Sequence, residues 1–305
     1  MAMEDYQDLL ATTVQALGLP APEIVTPDDR WFERAGRRLH YLEWGDSRQP
    51  PVILLHGGSQ TAHTWDIPAL LLWQDYHLYA LDQRGHGDSS WADSYEWEDF
   101  VQDLDAFVAH LRLGPFVLVG MSMGGLVAMR YAAEHADAIR AVVLVDVGPE
   151  SRGEGRAELA RFRASTSEEL PTFDAFLERS VEFNPLRPRE HLRYSLVHSL
   201  RRTERGGWTW KYDPKWRDAR GRPQDASDRQ SEHLWRALGK ITAPCLIVRG
   251  GDSHVLAADV AAHMRDSMQR AQLVTIERAS HTVQGDQPVA FVRAVREFLR
   301  AVGAA

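Results

Sequence analysis

Short apolar runs alternate with helical patterns along most of the chain. The all-apolar run at 52–55 is typical of a strand buried on both faces of a parallel sheet. We predict further strands at 77–82, 116–119, 141–146, 245–249 and 272–277. Between them apolar residues recur at helical spacing, most clearly from Asp99 to Leu111. Segments 30–34 and 38–44, joined by Ala35-Gly36-Arg37, predict a hairpin. The alternation predicts an α/β fold, a mostly parallel sheet with helices on both faces.

The alternation is interrupted between residues 150 and 240. Charge rises there, arginine is dense, and helical patches at 156–164, 173–183 and 191–200 alternate with aromatic, proline and glycine segments. An insertion of this length is too long for a structureless loop. We therefore predict a core domain formed by 1–149 and 241–305, whose first residues to about 28 are a helix and linker. Residues 150–240 are predicted to form a helical cap over the carboxyl ends of the strands, where open α/β sheets bind ligands.

Composition narrows the class of protein. Of 305 residues, 44% are apolar and 26% charged, as in ordinary globular proteins, and the net charge of −8 argues against a nucleic-acid or anionic-membrane partner. The single cysteine, Cys245, excludes an intramolecular disulfide. The acidic start and the absence of a long apolar stretch predict neither a signal peptide nor a transmembrane span. We expect a cytoplasmic monomer or homodimer that acts on a small molecule.

One motif in the sequence indicates a catalytic nucleophile. Gly120-Met121-Ser122-Met123-Gly124 lies between an apolar run and a helix-favouring run. In that strand–turn–helix context the pattern predicts a nucleophile elbow, in which glycines on either side of the serine relieve steric collisions. A glycine-rich turn with a solvated serine is the plainer interpretation, but the flanking pattern favours Ser122 as a nucleophile.

A serine nucleophile needs a base, and in elbow proteins this histidine follows late in the chain. His281 fits, because Ala279-Ser280-His281 lies between the last predicted strand and the last helix. With these motifs the chain resembles the α/β-hydrolase family, in the subgroup with a cap inserted after the sixth strand. The matching motifs, in the family's order, are His56-Gly57-Gly58, Asp82-x-Arg84-Gly85-His86-Gly87-x-Ser89, Gly120-x-Ser122-x-Gly124-Gly125, Val145-Asp146 and Ala279-Ser280-His281.

Two aspartates compete for the acid that orients the histidine. In most of the family this acid lies three or four residues past the glycine that ends the next-to-last strand. Here that strand is predicted at 245–249, and Asp252 lies one or two residues before the family's position. Asp146 stands at the end of the preceding strand, the position used by a minority of similar esterases and by haloalkane dehalogenases. Either residue could instead cap a loop or helix. We favour Asp146 and keep Asp252 as the alternative.

The remaining candidate residues are expected to form an oxyanion hole and an apolar substrate pocket. Backbone N–H groups of Met123 and Gly58 are the expected oxyanion donors, with Ser59 as the alternative to Gly58. Trp65, Trp208 and Trp210 are candidates for an apolar substrate pocket, although aromatic residues could equally pack a cap against a core.

The resemblance implies a cofactor-independent serine hydrolase with a Ser-His-Asp triad. We expect it to cleave a small to medium, largely apolar carboxylic ester through an acyl-enzyme. A lactonase or a hydrolase of C–C bonds in vinylogous diketones is an alternative, as is a small-molecule receptor with slow turnover. No cofactor or metal is expected, because no lysine follows Gly85-x-Gly87 and the histidines lack the spacing of a recognised metal site.

Overall fold

The computed structural model describes residues 6–19, 23–165, 169–219 and 224–304. Its strands are β1 (Asp28–Arg34), β2 (Arg37–Trp44), β3 (Pro51–Leu55), β4 (His77–Leu81), β5 (Phe116–Met121), β6 (Ile139–Val145), β7 (Leu200–Arg202), β8 (Trp208–Trp210), β9 (Cys245–Gly250) and β10 (Ala271–Ile276). Eight of them form one sheet in the order β1-β2-β4-β3-β5-β6-β9-β10. The pairs β1–β2 and β2–β4 are antiparallel, and the others are parallel. The predicted α/β fold is confirmed.

Helices cover both faces of this sheet. The helices of the described ranges are α1 (Tyr6–Ala16), α2 (Asp66–Leu72), α3 (Trp97–Leu111), α4 (Met123–Glu134), α5 (Gly153–Ser165), α6 (Phe173–Phe183), α7 (Arg189–Ser199), α8 (Pro214–Ala219), α9 (Gln224–Leu238), α10 (Ala258–Ser267), α11 (Val283–Asp286) and α12 (Pro288–Ala301). Short 3₁₀ helices at Ala62–Trp65 and Ala136–Ala138 precede α2 and β6. Within the described ranges, no helix combines the length and the apolar character needed to cross a bilayer.

Burial on both sides of the central strands explains their apolar runs. All six residues of β5 are buried. Because side chains alternate across a strand, Leu118 packs into the cluster that contains Phe107 of α3, whereas Val117 and Val119 pack into the cluster that contains Phe291 of α12. The sheet therefore separates two hydrophobic cores, and neither face leaves room for polar positions.

The segment between β6 and β9 contains elements that the sequence pattern did not reveal. A small antiparallel hairpin joins β7 to β8, so the helix predicted to reach residue 200 ends at Ser199. The polar helix α9 buries Leu234 and Leu238 in the cluster shared with α3 and α4. The strands of the hairpin are only three residues long, which is too short for a clear alternation of apolar and polar positions. Helix α9 depends on partners distant in sequence, and local periodicity carries little trace of them.

The parallel strands bring their carboxyl ends to one edge of the sheet. His56, Ser122 and Asp146 directly follow β3, β5 and β6, and the loop that carries His281 follows β10. Residues far apart in sequence are thereby gathered at this edge.

Candidate active site

Ser122 stands on a tight turn between β5 and α4. Its backbone has φ of 50° and ψ of −114°, outside the regions that most residues adopt. A Cβ atom at Gly120 would lie 2.4 Å from the Gly124 carbonyl oxygen, and one at Gly124 would lie 2.4 Å from the Leu55 oxygen. The turn therefore requires glycine at both positions, as the motif predicts, and it holds Ser122 in a strained conformation of the kind common at functional sites.

His281 lies between Ser122 and Asp146. Its Nε2 is 3.0 Å from Ser122 Oγ, and its Nδ1 is 2.8 Å from Asp146 Oδ2. Asp252, the alternative acid, is exposed, and no hydrogen bond joins its carboxylate to His281 in the described part of the chain. The structure thus brings Ser122, His281 and Asp146 together and leaves Asp252 at the surface.

The Asp146 carboxylate is fully buried and held by several donors. Oδ1 accepts a hydrogen bond from the Gly250 N–H at 3.0 Å. Oδ2 accepts a hydrogen bond from the Ser253 hydroxyl at 2.5 Å and also contacts Nδ1 of His281. Donors of this kind stabilise an ionised carboxylate in a buried position. Sequence reasoning missed Ser253 as a partner of Asp146. The sequence signal for this contact was a residue with a hydroxyl group just past Gly250, where the strand ends.

The loop that carries His281 is fastened by a second carboxylate. Asp286 Oδ2 accepts two hydrogen bonds from Ser280, one from the backbone N–H at 2.7 Å and one from the side-chain hydroxyl at 2.5 Å. Asp286 Oδ1 accepts Nε of Arg187 at 2.6 Å, from the segment between α6 and α7. This buried pair ties the inserted segment to the histidine loop, and no short motif in the sequence indicates it.

The fully buried His56 orients the peptide that precedes Gly58. Its Nε2 accepts the Gln83 N–H at 3.0 Å, so Nδ1 carries the proton and donates to the Gly57 carbonyl at 2.7 Å. Burial lowers the pKa of His56, which favours this neutral form. In a trans peptide the C=O and N–H point in opposite directions, so the Gly58 N–H points away from His56.

Trp216 of α8 lies directly over Gly58. A Cβ atom at Gly58 would lie 2.5 Å from Trp216 Cη2, and the indole is only 5% exposed. Met123 is the first residue of α4, where helix N–H groups have no intrahelical acceptor. Both expected oxyanion donors therefore lie at this sheet edge, on the loop and the helix that follow β3 and β5.

The three predicted pocket tryptophans are not brought together. Trp65 is fully buried in the core, with its ring centroid 6.1 Å from that of Phe291. Trp208 and Trp210 pack against Phe173 and Phe176 of α6, at 5.5 and 5.3 Å. Trp216, which was not among these three candidates, is the ring that reaches the oxyanion loop.

The buried Asp82 braces the loops beside the site. It accepts the Ala62 N–H at 2.6 Å and the Asp88 N–H at 2.9 Å, and its Oδ2 lies 2.7 Å from His40 Nδ1. His40 Nε2 lies 3.0 Å from Asp29. Burial acts to lower the pKa of His40, but the bonds to Asp29 and Asp82 outweigh it and raise the pKa to about 9. His40 is therefore a buried cation at neutral pH.

We expect this cation to make stability depend on alkaline pH. Because the folded pKa of His40, about 9, exceeds an unfolded value near 6.5, the stabilisation is fully present below about pH 6.5 and is lost as pH rises through about 9. The loss should amount to about 3 kcal/mol. Urea unfolding of the parent and of His40→Gln between pH 6 and 10 measures it. The variant should be less stable and should lose this part of the pH dependence, whereas equal slopes would contradict the assignment.

A mostly parallel sheet with a serine elbow after a central strand is the architecture of a hydrolase-type α/β protein. The sequence model of the alpha/beta hydrolase family matches residues 52–294, and the chain belongs to this family.

Relatives and solved structures agree with that membership. The chain is 34% identical to esterase Rv0045c of Mycobacterium tuberculosis over 304 residues, covering 95% of this chain and 94% of the relative. A crystal structure of that esterase superposes with a TM-score of 0.77 and 31% identity, covering 98% and 99% of the two chains. A 3-hydroxybutyrate-oligomer hydrolase of Cupriavidus necator is 29% identical over 80% of this chain and 87% of its own. An alpha/beta hydrolase from Novosphingobium aromaticivorans has a TM-score of 0.78 at 29% identity, covering 90% and 99%.

Proposed function

We propose that this protein is a serine esterase that cleaves carboxylic esters through an acyl-enzyme. The observation that carries the proposal is the position of the His281 imidazole, 3.0 Å from Ser122 Oγ and 2.8 Å from Asp146 Oδ2. A hydroxyl, an imidazole and a buried carboxylate in that order can generate a serine nucleophile at neutral pH. The relationship to an esterase over nearly the whole chain supports the same reaction class.

Each residue then has a defined role. His281 Nε2 takes the Ser122 proton as Oγ attacks the ester carbonyl, and Asp146 holds Nδ1–H and stabilises the imidazolium. The N–H groups of Gly58 and Met123 stabilise the oxyanion. His281 returns the proton to the leaving alcohol, and it then activates the water that hydrolyses the acyl-enzyme. The reaction requires no group beyond these residues and water.

Residues 150–240 act as the cap in this proposal, over a core of 1–149 and 241–305. The segment is anchored on the loop after β4, because the Gly87 N–H donates to the Lys211 carbonyl at 2.7 Å and the Asp213 N–H donates to that of Gly85 at 2.8 Å. These bonds hold Trp216 above Gly58. An indole over the oxyanion loop favours an apolar acyl group of small to medium size.

A substrate panel tests the proposal. We expect sustained turnover of p-nitrophenyl esters from acetate to octanoate, highest for short and medium chains, and slower or no turnover of lactones and vinylogous diketones. Higher kcat/KM on either of the latter would replace the ester assignment with a lactonase or a C–C hydrolase. A single turnover followed by stable labelling and a large rise in Tm would instead indicate a small-molecule receptor.

A further inference from the structure

A second cluster of polar side chains lies where α7 packs against the start of α2, and it shares no residue with the triad. It consists of His63, Asp66 and His198, hereafter the His–Asp–His cluster. Each residue offers a nitrogen or oxygen donor, and the three donor atoms lie within 4.8 Å of one another. The rings of His63 and His198 stack with centroids 3.7 Å apart. The donor atoms are therefore close enough for one metal ion to contact all three once the two rings rotate.

The Asp66 carboxylate is fully buried and only half satisfied. Its Oδ2 accepts the hydroxyls of Tyr6, at 2.8 Å, and of Tyr194, and it lies 2.8 Å from His63 Nδ1. Its Oδ1 is buried, and no partner for it exists among the described residues. Nε2 of His198 is likewise buried without a hydrogen-bond partner in that part of the chain. Buried polar atoms in native proteins are nearly always paired, so two such atoms in one cluster are candidates for contact with a bound ion or an ordered water.

We propose that the His–Asp–His cluster binds a divalent transition-metal ion of the Zn²⁺, Co²⁺ or Ni²⁺ type. Two imidazole nitrogens and one carboxylate oxygen suit these ions, whereas Mg²⁺ and Ca²⁺ prefer oxygen ligands. The ion takes the place of the proton between His63 Nδ1 and Asp66, and that proton is released to solvent. The hydroxyls of Tyr6 and Tyr194 donate to Asp66 Oδ2 and so orient the carboxylate, as outer-shell groups do in metal sites.

The position of the cluster defines what the ion does. His63 and Asp66 belong to the short helices between β3 and β4, and His198 belongs to α7 of the inserted segment. Coordination by all three residues would link α7 to the short helices between β3 and β4. The ion is therefore a clamp on the proposed cap, and it takes no part in the chemistry at Ser122.

Cobalt is a suitable probe, because its visible absorption reports the ligand field directly. After EDTA treatment and removal of the chelator, Co²⁺ titrated into the full-length protein should bind with one-to-one stoichiometry and produce a visible band. At a hundredfold excess over Kd, Tm should rise by about 5 °C. His198→Phe preserves the aromatic ring stacked on His63 but removes the ligand, and it should abolish the band and the shift. His63→Phe should do the same if His198→Phe does not fold.

Two control variants separate this site from other histidines. His281→Ala should retain the cobalt band and the Tm shift, because the triad is not part of the cluster. His254→Ala removes an exposed imidazole paired with Glu154 and should also retain both. No one-to-one binding by the parent, or binding that persists in a folded His198→Phe or His63→Phe variant, would overturn the proposal. These readouts need no substrate, so they stand or fall separately from the esterase assignment.

Discussion

Replacement of Ser122 by alanine is expected to lower kcat by about 10⁶-fold while leaving the fold intact. In the proposed mechanism the three residues act as a unit, so removing the hydroxyl that His281 would deprotonate abolishes acyl-enzyme formation. Residual activity about 10³–10⁴-fold above the uncatalysed reaction should remain, since the oxyanion donors are unaffected. The measurement is steady-state hydrolysis of p-nitrophenyl butyrate, with mass spectrometry of the protein after treatment with a fluorophosphonate.

Ser267→Ala provides the matched control for Ser122→Ala. Ser267 is exposed at the end of α10 and donates only to the carbonyl of His263, at 2.7 Å. This variant should keep full activity and become labelled. Comparable turnover by the Ser122→Ala enzyme, or labelling at another residue, would exclude Ser122 as the nucleophile.

The second large effect on kcat is expected from replacing Asp146, the proposed acid of the triad. Asp146→Asn should lower kcat by about 10⁴-fold, equivalent to about 5.4 kcal/mol of transition-state stabilisation. An amide at this position no longer stabilises the imidazolium, and its NH₂ group can favour the wrong tautomer of His281. The change is nearly isosteric, so the contacts of Oδ1 with Gly250 remain available to the amide oxygen.

Asp252→Asn is the matched control, because it makes the same chemical change on an exposed side chain two residues past the end of β9. It should leave kcat within about twofold of the parent, in keeping with the small effects of most surface substitutions. Circular dichroism and Tm establish that both variants are folded. Near-full activity in Asp146→Asn with loss in Asp252→Asn would transfer the acid to Asp252.

The fold and the order of the site residues were predictable because they depend on local rules. An apolar run followed by Gly120-Met121-Ser122-Met123-Gly124 marks a strand, a turn and a helix. Gly120 is needed within that turn, whereas Gly124 is needed because the turn passes close to Leu55 of β3. The position of His281 beside Ser122 was predictable, because in proteins with such an elbow the expected base follows the last strand. Asp146 was favoured on similar grounds, as a carboxylate at a strand end on the edge where parallel strands converge.

Contacts between the inserted segment and the core were not predictable in this way. The ten tryptophans of the sequence do not reveal which ring covers Gly58. The docking of α8 places Trp216 there, whereas Trp65 is buried in the core beside Phe291 of α12. Likewise, Arg187 meets Asp286 only because the segment before α7 packs against the histidine loop.

Sequence alone determined the α/β architecture, the serine on its elbow and the late histidine, because strand periodicity and turn sterics act over a few residues. Only the tertiary structure decided which aspartate contacts His281, which indole lies over Gly58, and that His63 and Asp66 meet His198. These juxtapositions depend on how loops and helices far apart in sequence come together in the folded chain. The free energy of that packing is spread over many contacts, and no short motif records it.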